Sequence, residues 1–159
     1  MAKYYYHLVP VEQWRACCAE GKAYFPTTYE QDGFTHLSDN KEVLLTIGNH
    51  FYKQIKGKDK YRHKIANTLH PVHFYSPFVL TLVYSIFAGA YIVLEIESSK
   101  LANEVKLEPA APVGDTKPHF DGNEQLFPHL YGSINVDSVV KELKVLRNEE
   151  DGSFLELQD

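Results

Sequence analysis

Three segments carry residues able to do acid–base or ligand chemistry: Tyr5-Tyr6-His7-Leu8, Gly33-Phe34-Thr35-His36-Leu37-Ser38 and Leu126-Phe127-Pro128-His129-Leu130-Tyr131-Gly132. Each sets one imidazole among aromatic and aliphatic neighbours, where a residue that only packs would more cheaply be apolar. Histidine changes charge near neutral pH, binds metals, and donates or accepts hydrogen bonds. Three of them in like settings, far apart in the chain, predict convergence on one cleft. The rival expectation is that each is a hydrogen-bonded structural residue.

The flanking elements must position these rings. Tyr4 to Val9 reads as a strand with Tyr5, His7 and Val9 on one face and Tyr6 and Leu8 on the other. A helix follows Pro10, with Val11, Trp14 and Cys18 at helical spacing and Gly21 at the C-cap. Ala23 to Asp32 reads as irregular and Phe34 to Leu37 as a short strand. Asp39 with Glu42 predicts the N-terminus of a second helix bearing Val43, Leu44, Ile47 and Phe51. That places His36 just before a helix start, where N–H groups and the dipole favour an anion. Tyr91 to Ile96 reads as a central strand, and Ser99 to Pro118 as loop with a short strand at Val105 to Leu107. Leu126 to Gly132 reads as a firm loop or short strand. Asp137 predicts a short helix through Val140 and Leu143, and Val145 to Arg147 with Phe154 to Leu157 a terminal hairpin.

With 159 residues, 44% hydrophobic and 23% charged, the chain fits a single domain, 1–159, with its own core. A net charge of -5 argues against general nucleic-acid binding, which needs a basic face. The two adjacent cysteines, Cys17 and Cys18, suggest no disulfide framework. With no apolar leader at the start, a cytoplasmic protein is the expectation. Pro71 to Leu94 contains no Asp, Glu, Lys or Arg, a length that raises a transmembrane reading. Its prolines, His73, serines and tyrosines favour buried strands instead, one at about Phe78 to Tyr84.

The three histidine segments, together with Trp14, Leu94-Glu95-Ile96, Glu108-Pro109 and Asp151 to Phe154, resemble the domain-of-unknown-function family numbered 952. The resemblance covers about 1–53 and 91–157. It marks about 54–90 as an insertion, authentic or translated from intron sequence. It implies an α+β fold like that of ADP-ribosyltransferases, with two small, mostly antiparallel sheets around a cleft and helices outside. In that fold NAD lies across the cleft, and His7 would take the role of the leading strand's His or Arg. His36-Leu37-Ser38 is similar to a string of the RNA 2′-phosphotransferase branch, which also uses NAD. The corresponding late segment carries His129 and Tyr131 in place of the Gln/Glu-x-Glu string that supplies negative charge to the transition state in such transferases, which leaves the activity open.

Three readings follow. The first is a pocket for a nucleotide, NAD-like or phosphorylated ligand, with transferase chemistry as one outcome. His7, His36 and His129 would be its catalytic residues, with Tyr6, Ser38, Glu108 and Tyr131 binding the ligand and no metal assigned. The second is a non-catalytic ligand-binding or protein-interaction module. The third makes the three histidines ligands of a metal-dependent hydrolase.

Overall fold

The computed structural model describes residues 2–53, 90–117, 125–148 and 150–159. Within them the chain forms a four-stranded and a three-stranded sheet, antiparallel throughout, with three helices. This is the α+β class expected, with two small sheets.

The larger sheet has the order β1 (Tyr4–Pro10), β3 (Tyr91–Glu97), β6 (Val139–Arg147), β7 (Phe154–Gln158). Its centre is β3, an apolar run because both its faces are covered. Ile92, Leu94 and Ile96 join Tyr5, Val9, Trp14, Leu37 and Leu130 in one core, while Tyr91 and Val93 join Leu8, Leu44, Leu143 and Phe154 in a second. Period-two alternation therefore splits β1 as expected, with Tyr5 and Val9 to the first core and Leu8 to the second. Helix α1 (Val11–Glu20) buries Trp14 and ends at Gly21, whose φ of 63° is the left-handed cap conformation that glycine adopts freely. Its indole N–H donates to Glu142 on β6 at 2.6 Å.

The smaller sheet has the order β2 (Thr35–His36), β5 (Leu126–Leu130), β4 (Val105–Pro109). The two sheets meet where Tyr6 and Ser38 exchange backbone hydrogen bonds of 2.8 and 2.9 Å. The strand edge of β1 thus continues into the segment that carries His36.

Several elements differ from expectation. The 23–32 stretch contains a one-turn helix, α2 (Tyr29–Asp32), closed by Gly33 at φ 80°. Helix α3 (Lys41–Tyr52) is capped by Asn40, whose side chain accepts from the Glu42 N–H, rather than by Asp39. The helix expected through Val140 and Leu143 is the strand β6, preceded by a 3-10 turn at Val136–Ser138. Pairing with β3 and burial of Leu143 and Val145 two residues apart outweigh the weak helical spacing. Of the two forms expected for Leu126 to Gly132, a strand is the one found over Leu126–Leu130, at the centre of its sheet. Both the Phe78 to Tyr84 strand and the expected insertion lie outside the described residues, except that the Ala90 carbonyl accepts from Val11 N–H. Among the described residues no helix is long and apolar enough to cross a membrane.

Candidate functional site

Antiparallel pairing of β2 with β5 sets His36 directly opposite His129, and pairing of β4 with β5 sets Lys106 on the other side of His129. One face of the small sheet therefore carries His36, His129 and Glu108. The His36 and His129 rings meet edge to face at 5.3 Å. Phe34, from the turn after α2, stacks on His129 with centroids 4.0 Å apart and planes 19° from parallel. His7 arrives from the other sheet: its Nδ1 lies 2.7 Å from the backbone carbonyl of His36. Two of the three rings are thus in contact, and the third is bonded to the backbone carbonyl of His36.

Each imidazole is anchored differently. A carbonyl can only accept, so His7 donates through Nδ1–H and keeps a bare Nε2. Burial pushes its pKa down to about 4, against the opposing pull of the His36 carbonyl, so the ring is neutral at neutral pH. In His129, Nδ1 lies 2.9 Å from Glu108 Oε2, and the Tyr131 hydroxyl donates to the same carboxylate at 3.0 and 3.1 Å. These bonds, that from His129 foremost, hold the Glu108 carboxyl below its usual range and raise the Tyr131 phenol. The Lys106 ammonium stands over the Tyr131 ring at 4.4 Å. Nε2 of both His7 and His129 is buried with no hydrogen-bond partner.

His36 is held the other way round. Its Nε2 lies 3.2 Å from Asp32 Oδ2. The Asp32 side chain is 4% exposed and accepts from the Gly114 N–H. Burial, then the neighbouring His129, lower the His36 pKa, while Asp32 and Pro112 oppose the shift.

The remaining expected residues are placed less centrally. Ser38 is 1% exposed and its hydroxyl is engaged with Asn40, donating to the carbonyl and accepting from the N–H. Tyr6 packs against the second core, on the face of β1 away from His7. Glu108, read as lying in a loop, is on the edge strand β4 and touches both His129 and Tyr131. Asp32, Phe34 and Lys106 were not singled out from the sequence. A signal existed only for Asp32, the carboxylate four residues before His36.

The three-histidine metal site is not formed. Among the described residues no three His, Cys, Asp or Glu side chains could hold a metal ion together. One nitrogen of each ring is committed to a protein acceptor, and the bare Nε2 atoms of His7 and His129 have no third ligand beside them.

A sequence model of the family described as "Protein of unknown function (DUF952)" matches residues 72–142, a span that contains His129 but neither His7 nor His36. Among solved structures the chain is similar to protein CC0527 from Caulobacter crescentus. Its crystal structure is 19% identical with a TM-score of 0.57, covering 96% of this chain and 93% of that one. The solution NMR structure of CC0527 gives a TM-score of 0.50 at 17% identity, covering 95% and 91%. The likeness establishes a shared fold and adds nothing for an ADP-ribosyltransferase relationship. No curated protein matches the sequence.

Proposed function

We propose that the chain is a member of the DUF952 family whose three-histidine cluster receives a nucleotide or NAD-like ligand through its nucleoside part. One observation carries this reading: the buried, unpartnered Nε2 atoms of His7 and His129. Each ring is held through Nδ1, so in its neutral form each Nε2 offers a lone pair that needs a donor. Ribose hydroxyls and a carboxamide N–H are such donors, whereas the charged oxygens of a pyrophosphate linkage, which carry no hydrogen, only accept. The rings therefore suit the sugar or the amide, and a pyrophosphate on a neutral imidazole would be repelled. This narrows the expectation of a phosphorylated ligand gripped by histidine.

Transferase activity has thinner support. Both carboxylates at the cluster are occupied, Glu108 by His129 and Tyr131 and Asp32 by His36 and the Gly114 N–H, rather than free to stabilise developing positive charge. The likeness to ADP-ribosyltransferases rests on sequence resemblance alone. A non-catalytic ligand-binding or interaction module is favoured by one specific contact, the bond from His7 to the His36 carbonyl, which ties the two sheets together as a structural histidine would.

Isothermal titration calorimetry with NAD, adenosine and inorganic phosphate tests the reading on the wild type and on His129→Gln. We expect NAD and adenosine to bind, with roughly tenfold weaker affinity in the variant, the worth of one good hydrogen bond. Binding of phosphate alone, or no binding of any of the three, would overturn it.

A further inference from the structure

We propose that Glu108 and Tyr131 are positioning residues that lock His129 in its Nδ1–H tautomer, so that the buried Nε2 accepts from neutral O–H or N–H groups and turns oxyanions away. The inference rests on the ligand reading above and adds the device that sets its chemical class.

The geometry is specific to this ring. His129 is 2% exposed, and its Nδ1 faces a carboxylate oxygen at 2.9 Å. An ionised carboxylate only accepts, so Nδ1 carries a hydrogen, and on the neutral ring the lone pair is left on Nε2. The carboxylate is kept in place from its other side by the Tyr131 hydroxyl, which reaches both its oxygens. Lys106 over the Tyr131 ring adds a cation to the same edge. Because β4 and β5 are adjacent antiparallel strands, Glu108, His129 and Tyr131 all sit on rigid ladder positions or immediately beyond them. Phe34 covers one face of the imidazole. What remains is an acceptor, buried and unpartnered, whose character is set two bonds away by a residue that need not touch the ligand.

The test is nitrogen-15 NMR of the full chain labelled at histidine, recorded at mildly alkaline pH, where long-range couplings distinguish pyrrole-type from pyridine-type ring nitrogens. In the wild type His129 should show a pyridine-type Nε2 and a pyrrole-type Nδ1. Glu108→Gln, whose amide can donate as well as accept, should give a mixture of tautomers. Tyr131→Phe, altering a partly exposed ring, should give a smaller change in the same direction and serves if the first variant does not fold. Adenosine should shift the wild-type Nε2 signal, and inorganic sulfate, a dianion with no hydrogen to donate, should not at equal concentration. A wild-type ring protonated on Nε2, or tautomers unmoved in both variants, would overturn the proposal even where adenosine still binds and the ligand reading survives. A sulfate shift equal to that of adenosine would overturn it as well. If neither probe moves Nε2, both the donor preference and the ligand reading fail.

Discussion

Leaving a buried hydrogen-bonding atom unpaired costs about 1–3 kcal/mol, and the described residues do so at His7 and again at His129. For His7 the cost has a second part, because burial lowers its pKa to about 4. The unfolded chain, with an ordinary histidine value of 6.5, binds a proton in the window where the folded chain does not. Stability from this residue is thus complete above pH 6.5 and falls as the pH drops toward 4, by on the order of 3 kcal/mol. His36, also lowered, adds to the loss in the same direction. Urea denaturation across this window should show wild-type stability falling steeply, and His7→Asn, whose amide nitrogen takes the place of Nδ1 and can still donate to the His36 carbonyl, losing much of that slope. A variant with unchanged pH dependence would show that His7 titrates normally in the folded chain. At this scale the sequence was informative about which rings matter, since an imidazole in an apolar string is conspicuous. It was silent on tautomers and partners. Asp32, Phe34 and Lys106 are ordinary residues until strand pairing brings them to the cluster.

Elements whose burial is uniform were readable, and those set by pairing were not. Strand β1 and helix α1 follow from alternation and from Gly21, and β3 from its unbroken apolar run. Strand β6 was half hidden because Val140 and Leu143 mimic a helical repeat. Only its ladder with β3 and β7 decides between the two patterns. The start of α3 turns on one position: Asp39 and Asn40 are both good capping residues, and the backbone geometry selects Asn40. Asn40→Ala should lower stability by about 1 kcal/mol, while Asp39→Ala should leave it nearly unchanged. Thermal unfolding of the two variants checks this, and equal losses would mean that the capping role is shared.

For the whole molecule, a mixture of short strands and helices is legible in the residues themselves, whereas the two-sheet layout is what the family resemblance implies. How the sheets join was not legible, because the Tyr6–Ser38 bridge and the His7–His36 bond are long-range contacts with no local signature. Helix α3 packs on β1 and β7, so the second core closes over residues that flank the expected insertion. On the reading of that segment as an addition to a common core, a chain lacking residues 55–89, joined by a short glycine-serine linker, should fold and keep the histidine cluster. The melting temperature and the histidine ring signals of such a chain measure this. An unfolded product would make the segment part of the core, in keeping with a family match that begins at residue 72.

The central claim is that the histidine cluster is where a ligand's neutral donor groups are received. A crystal structure of the full chain grown with saturating adenosine tests it most directly. The account predicts ligand density with a ribose hydroxyl or amino group within hydrogen-bonding distance of His129 Nε2. Adenosine bound away from all three rings, or a cluster left unchanged in crystals where solution binding is saturated, would contradict it.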